Sequence, residues 1–119
     1  MDEKNIKKEA EELLIKFQTQ NQQLENISIQ KQALMIKKAE IEEALKELEE
    51  SNEENVYKIV GPIIIKYDKE KIKEGLNEEM EDIEMKIKIF EKNEEMLKKS
   101  INEIKEKLQK VLPVLESGA

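Results

Sequence analysis

The sequence predicts a mainly α-helical protein in which two long helices form an antiparallel coiled coil and are joined by a single β-hairpin. Apolar residues recur at alternating steps of four and three in both halves of the 119-residue chain. Charged residues make up 41% of the sequence and aromatic residues only 3%, which is typical of long helices rather than of an enzyme with a closed pocket. A short β-branched segment with a Gly-Pro pair interrupts this pattern at the midpoint.

The chain is short enough to form one domain, which we expect to span residues 1–119. The first helix is predicted at about residues 4–51, the hairpin at about 55–67 and the second helix at about 69–116. Pro113 is expected to end or kink the second helix, because proline lacks an N–H donor and clashes with the preceding turn.

Each predicted helix carries one apolar seam, meaning the row of heptad positions that faces a partner helix. Ten of the thirteen seam positions of the first helix are apolar. They are Ile6, Ala10, Leu13, Phe17, Gln20, Leu24, Ile27, Lys31, Leu34, Lys38, Ile41, Leu45 and Leu48. Eleven of the twelve in the second helix are apolar, namely all but Glu94 in the set Leu76, Met80, Ile83, Ile87, Phe90, Glu94, Leu97, Ile101, Ile104, Leu108, Val111 and Leu115.

The two seams match each other when the chain is folded back at Val60-Gly61. Residues whose numbers sum to 121 then face one another, for example Leu13 with Leu108 and Phe17 with Ile104. Lys31 and Glu94 fall in adjacent layers, where two opposite charges can fix the register. An intramolecular antiparallel pair is the simplest interpretation, and two separate intermolecular coils are the alternative.

The midpoint segment predicts a β-hairpin that serves for oligomerisation. The residues that would carry this role are Val56, Tyr57, Ile59, Val60, Gly61, Ile63, Ile64 and Ile65. A two-residue turn puts Val56, Val60, Ile63, Ile65 and Tyr67 on one face, and Tyr57, Ile59 and Ile64 on the other. Since an isolated hairpin is marginal in water and its edges invite pairing, assembly with hairpins of other subunits explains two apolar faces. The alternative is that the hairpin folds against its own helix ends.

The composition excludes most kinds of catalytic, metal-binding and phosphate-binding site. Cysteine and histidine are absent, so disulfides, thiolate metal sites and the commonest catalytic base are excluded. Neighbouring glutamates on a helix do not share a face, and three glycines form no phosphate-binding loop. A net charge of -7 argues against nucleic acid, and no apolar run reaches membrane-spanning length. We therefore expect no enzymatic activity, no cofactor or metal, no nucleic-acid or membrane partner, and a cytoplasmic location.

Extra apolar residues flank both seams at the end of the coil opposite the hairpin. These two stretches predict a candidate binding surface formed by Leu13, Leu14, Ile15, Phe17, Val111, Leu112, Val114 and Leu115. The alternative is that they pack within the coil or onto Pro113. Met35, Ile36 and Ile89 are similar apolar residues nearer the middle of the helices.

The segment VYKIVGPIIIK, set between two heptad-patterned helices, resembles the midpoint of beta-class prefoldin subunits. The runs QQLENISIQKQAL and EIEEALKELEE are also similar to the first helix of that family, and the chain has room for one hairpin where alpha-class subunits carry two. The resemblance implies a hetero-hexamer of two alpha and four beta subunits. In it, the hairpins close into a double β-barrel hub from which coiled coils extend.

The same resemblance implies an ATP-independent co-chaperone. It would hold unfolded or nascent polypeptides at the coiled-coil tips and deliver them to a group II chaperonin. A structural coiled-coil protein that self-assembles through its hairpin is the alternative function. The two differ in whether assembly closes into a particle of discrete mass or continues into open-ended polymers.

Overall fold

The computed structural model describes the backbone of residues 3–117 and the side chains of residues 3–113. The chain forms helix α1 (Glu3–Glu50), strand β1 (Asn55–Val60), strand β2 (Ile63–Asp68) and helix α2 (Lys69–Ser117), in that order. The two strands form a two-stranded antiparallel sheet. The predicted fold class of two long helices joined by one hairpin is confirmed, while the β-barrel hub formed with other subunits stays a prediction.

Side-chain burial follows the predicted seams closely. All thirteen seam positions of α1 are buried or half-buried, and so are the eleven in α2 whose side chains are described. Ala44 is the one further residue of α1 that is not exposed. Lys31 and Glu94 are both half-buried, and their predicted pairing stays a prediction. The heptad pattern therefore selects which face of each helix leaves water.

The described residues group into two compact units, each of which contains parts of both helices. One unit combines the first 30 positions with position 90 onward, and its core cluster joins Leu13 with Ile104 and Leu108. Phe17 packs against this cluster. The residues that the sequence paired as Leu13 with Leu108 and Phe17 with Ile104 thus lie together, which favours packing within one chain over two intermolecular coils.

The other unit, Lys31–Ile89, contains the hairpin and the parts of the helices next to it in sequence. Ile41 of α1 and Ile83 of α2 are its buried hydrophobic residues. Ion pairs join the helices along this unit: Lys37 Nζ lies 3.0 Å from Glu79 Oε1, and Lys38 Nζ lies 3.7 Å from Glu84 Oε1. The side chains of these pairs stay largely in water, so each contributes little to stability.

The hairpin turns through the two residues Gly61 and Pro62. Gly61 has a φ of 56°, which glycine adopts without steric cost and which a two-residue hairpin loop needs at its first position. Pro62 has no N–H to offer to the ladder and follows at the second position. The numbers of two paired strand residues sum to 123, whereas the register predicted for the helices has pairs that sum to 121. The centre of the hairpin therefore lies one residue later than predicted.

Helix α2 continues through Pro113 to Ser117, so this proline does not end the helix, and the kink expected as the other possibility stays a prediction. A proline inside a helix removes its own N–H donor, and its ring crowds the carbonyl group one turn earlier. The residues that follow still have carbonyl groups one turn earlier to which their own N–H groups can donate. Because Pro113 lies near the end of the helix, only a few backbone hydrogen bonds follow it.

The core cluster generates a stability prediction. Replacing Ile104 with Ala should lower the free energy of unfolding by ~2–4 kcal/mol, because a buried aliphatic side chain is lost and a cavity is left beside Leu13 and Leu108. Met96 lies on the same helix with 67% of its surface exposed, so Met96→Ala should cost less than ~0.5 kcal/mol. Urea unfolding followed by circular dichroism measures both; equal losses would contradict the assignment of this core.

Candidate functional site

One face of the hairpin is exposed to solvent. The strand register places Tyr57, Ile59 and Ile64 on the same face, as the sequence predicted. Their side chains are 69%, 76% and 68% exposed, respectively. Such a cluster of β-branched and aromatic residues in water is unfavourable unless another surface covers it.

The opposite face of the hairpin is partly covered. Val56, Ile65 and Tyr67 are half-buried, whereas Val60 and Ile63 beside the turn are exposed. Lys58 lies on this face, with its Nζ 6.0 Å from the centre of the Tyr67 ring, at the outer limit of a cation–π contact. Cover by the chain itself therefore reaches the base of the hairpin and stops short of the turn.

The edges of the hairpin are unpaired. The sheet has two strands, and within residues 3–117 no third strand adds to either of them. Each strand consequently presents one row of backbone N–H and C=O groups that a strand of another chain could pair with. Lys58 and Lys66 are the charged residues between positions 56 and 67, too few to protect both edges.

The base of the hairpin is held by the connection between α1 and β1. Lys69 Nζ donates a part-buried hydrogen bond of 2.6 Å to the carbonyl oxygen of Ser51, just beyond the end of α1. The backbone N–H of Lys69 donates to the carbonyl oxygen of Glu54 at 3.0 Å, and the N–H of Glu53 donates to Ser51 Oγ at 3.2 Å. A cation at a helix C-terminus also interacts favourably with the helix dipole. These contacts fix where the hairpin leaves the helices.

A surface ion pair lies next to this connection. Lys73 of α2 pairs with Glu49 of α1. The hydrogen bond from Lys73, together with its positive charge, lowers the pKa of Glu49 from its ordinary value, and Glu49 raises the pKa of Lys73 in the same way. Both shifts favour the charged forms, which is the expected signature of a formed ion pair.

The predicted client-binding residues divide into an accessible and a packed group. Leu14, Ile15 and Leu112 are exposed to 41%, 64% and 37%. Leu13 is buried in the core cluster, Phe17 packs against that cluster, and Val111 is half-buried. The side chains of Val114 and Leu115 lie outside the described residues. The accessible group is therefore exposed to solvent and the packed group is not, and the client-binding role of both groups stays a prediction.

Further exposed apolar residues lie along the helices. Met35, Ile36 and Ile89 are 48%, 54% and 54% exposed in the unit that contains the hairpin. Sequence reasoning did not single out Ile29, Met85 and Met96, which are 60%, 62% and 67% exposed. The signal that could have found them is the heptad pattern itself, because all three are apolar residues outside the seam positions.

A cleft opens between the hairpin and the adjoining parts of both helices. It has a volume of about 690 Å³ and is lined mainly by apolar residues, among them Leu48, Val56, Tyr67, Ile72 and Leu76. The sequence could not predict this cleft, because its walls come from α1, the hairpin and α2 and meet only in the folded chain.

Within the described residues, no group of three or more acidic side chains is placed to hold a metal ion. None of the helices in that part of the chain combines the length and apolar character needed to cross a membrane.

Comparison with known proteins gives consistent matches over most of the chain. The family model for prefoldin subunits matches residues 11–113. The prefoldin subunit beta of Thermococcus onnurineus is 34% identical over 91% of this chain and 94% of its own length, and that of Pyrococcus furiosus is 31% identical over 91% and 93%. The crystal structure of the prefoldin beta subunit from Thermococcus strain KS-1 superposes with a TM-score of 0.80 at 30% identity, covering 87% of this chain and 92% of the other.

The ion pair beside the hairpin generates a titration prediction. Lys73→Met removes the hydrogen bond and the charge, so the pKa of Glu49 should rise towards its ordinary value. A carboxyl with a lowered folded-state pKa stabilises the fold above its unfolded pKa, and this contribution is lost as the pH falls through the folded pKa. Carboxyl NMR titration of the variant measures the shift, with the exposed Lys46→Met as control. An unchanged pKa of Glu49 in the Lys73 variant would show that the pair does not form in solution.

Proposed function

This chain belongs to the prefoldin subunit family, and from that membership we propose that it is a beta-class subunit of a prefoldin chaperone complex. The single hairpin agrees with the beta class, in which the sequence resemblance also placed the chain. Its proposed work is to hold non-native polypeptides without ATP and to deliver them to a group II chaperonin. The proposed setting is the cytoplasm.

The observation that carries the assembly part of this proposal is the uncovered hairpin. Three large apolar side chains on one face are mostly in water, and both strand edges are unpaired. A surface of this kind is stable when neighbouring hairpins pair with its edges and cover its face. We propose that the hairpins of two alpha-class and four beta-class subunits do this by closing into a β-barrel hub. Val56, Tyr57, Ile59, Val60, Gly61, Ile63, Ile64 and Ile65 would form this chain's share.

The client-binding part of the proposal is supported by the exposed apolar residues at the ends of the helices that lie furthest from the hairpin in sequence. Leu14, Ile15 and Leu112 present aliphatic surface beside the packed Leu13 cluster. Aliphatic side chains without directional polar groups suit binding that tolerates many sequences. Several subunits in one complex would hold one client together, so that weak contacts add up by multivalency.

The assembly proposal predicts that Ile59→Lys combined with Ile64→Lys abolishes the complex. Two charges on the bare face cannot be covered by a neighbouring hairpin without a desolvation cost of several kcal/mol. The helical circular dichroism signal should persist, because both side chains are more than two-thirds exposed. Native mass spectrometry, alone and with an alpha-class prefoldin subunit, reads out the particle mass.

The matched control for this experiment is Met85→Lys with Met96→Lys, two equally exposed apolar residues on α2. The control should assemble as the unchanged protein does. Unchanged particle mass in the hairpin variant would reject the assembly role of the hairpin. Open-ended polymers in the unchanged protein would favour a scaffolding protein over a chaperone, because a chaperone particle must close.

The client-binding proposal predicts that replacing Leu14, Ile15 and Leu112 with Ser preserves the complex but weakens suppression of the aggregation of a denatured model protein. The loss should be graded, because several subunits contribute to holding one client. The comparison variant replaces Met35, Ile36 and Ile89 with Ser, three residues of similar exposure. Light scattering at equal particle concentration measures protection. A larger loss in the comparison variant would place the client surface there instead.

A further inference from the structure

One stretch of α1 has almost no charge on its exposed surface. Ten side chains between positions 18 and 30 are exposed, and Glu25 is the one among them that is charged. By contrast, eight of the eleven exposed residues at positions 3–16 are charged, and so are six of the nine at positions 91–103 of α2. Six of the nine uncharged residues are amides, so we name the nine the amide strip: Gln18, Thr19, Asn21, Gln22, Gln23, Asn26, Ser28, Ile29 and Gln30.

Helix stability does not explain the amide strip. Thr, Asn and Ser have lower helix propensities than the Glu and Lys residues that occupy most other exposed positions. Charged residues would also permit stabilising ion pairs one turn apart along the helix. Among the described side-chain contacts, the strip forms one hydrogen bond, from Asn21 Nδ2 to the carbonyl oxygen of Phe17 at 2.8 Å. Most of its donors and acceptors therefore face water and can bond to a molecule from outside the chain.

A shallow hollow lies within the amide strip and shows what kind of molecule fits there. It has a volume of about 490 Å³, and its lining comes from α1 alone: Phe17, Gln18, Asn21, Gln22 and Glu25. Phe17 contributes an apolar ring, and the three amides contribute donors and acceptors beside it. Each amide group carries an N–H donor and a C=O acceptor, as a peptide group does. The hollow can thus accept an apolar side chain while the amides pair with the backbone that carries it.

The amide strip continues the proposed client-binding surface along the same helix. Residues seven positions apart lie within about 20° of each other around a helix. Asn21 therefore follows the exposed Leu14 on one line, and Gln22 follows the exposed Ile15 on the next. All four residues belong to the same compact unit. A polypeptide bound at Leu14 and Ile15 can extend directly onto the strip.

The absence of charge selects the occupant. Non-native polypeptides differ in sequence and charge, and the peptide backbone is the feature that all of them share. A surface with uncharged donors and acceptors bonds to that backbone without rejecting segments of either charge. A second copy of this chain, with a net charge of -7, would instead be recognised through fixed opposite charges, which the strip lacks.

We propose that the amide strip binds the extended backbone of the non-native polypeptide that the complex holds, with client side chains entering the hollow beside Phe17. The inference rests on the proposed function and adds to it a second, polar kind of client contact. Each hydrogen bond replaces one to water, so its net contribution is small. Several such contacts on several subunits add up by multivalency.

The first test replaces Gln18, Asn21 and Gln22 with Ala. Alanine has the highest helix propensity, so the helical circular dichroism signal should not fall. The assembled complex should bind a fluorescent unstructured peptide about threefold to tenfold more weakly, because small hydrogen-bond contributions are lost together. The matched control replaces three exposed amides of α2 in the same unit and should bind as the unchanged protein does: Asn93, Asn102 and Gln109. Fluorescence anisotropy measures the affinity of both variants.

The second test asks whether the peptide backbone is what the strip binds. The same peptide is prepared with N-methylated peptide bonds, which have no N–H to donate. N-methylation should weaken binding to the unchanged complex and should matter several-fold less for the alanine variant, because the acceptors that it deprives of a partner are already gone. A double-mutant cycle of protein against peptide isolates this coupling from other effects of methylation.

The outcomes separate this inference from the proposed function. Unchanged peptide affinity of the alanine variant, or equal losses on N-methylation for both proteins, would overturn the role of the strip. If the alanine variant lost particle mass while the α2 control kept it, the strip would be a contact between subunits, which also overturns the inference. An unchanged complex that neither binds the peptide nor suppresses aggregation of a denatured protein would instead overturn the proposed function itself.

Discussion

Both helices depend on the burial of one apolar side chain at every third or fourth position, against the other helix of the same chain. Two helices cannot surround a side chain completely, so most seam residues are half-buried and six hydrophobic residues of the described chain are buried: Ala10, Leu13, Ile41, Ile83, Ile104 and Leu108. Each of these six side chains keeps between 3% and 8% of its surface exposed. The free energy that holds the helices together is therefore spread thinly along their length rather than concentrated in one core.

This thin core explains why the hairpin remains uncovered. A chain with a large globular core could fold the apolar strands into it, but two helices offer a single shared face, and the seams already occupy that face. The connection at Ser51 and Lys69 then holds the hairpin by its base, through one hydrogen bond from the Lys69 ammonium group and two donated by backbone N–H groups. A firmly attached base and an exposed turn are what a subunit interface needs, since little conformational entropy remains to be lost on assembly.

The exposed apolar residues fall into two groups with different physical consequences. Those on the hairpin are β-branched or aromatic and stand beside unpaired backbone groups, so a partner can gain hydrogen bonds as well as apolar contact. Those on the helices, such as Ile15 and Leu112, belong to residues whose backbone groups already form hydrogen bonds within the helix. The first group favours a specific and ordered partner, whereas the second offers only apolar contact, without directional hydrogen bonds. This difference supports a division between assembly at the hairpin and loose binding at the helix ends.

The sequence by itself determined the helices, their seams and the hairpin, because heptad spacing, β-branched residues and the Gly61-Pro62 pair act over a few residues. It was less exact at the turn, because the hairpin is centred one residue later than the helix seams predicted. Only the tertiary structure decided which members of the apolar stretches stay accessible, separating Leu14 and Ile15 from the packed Leu13 and Phe17. It alone also formed the cleft beside the hairpin, since a surface built from three elements exists only once the chain has brought them together.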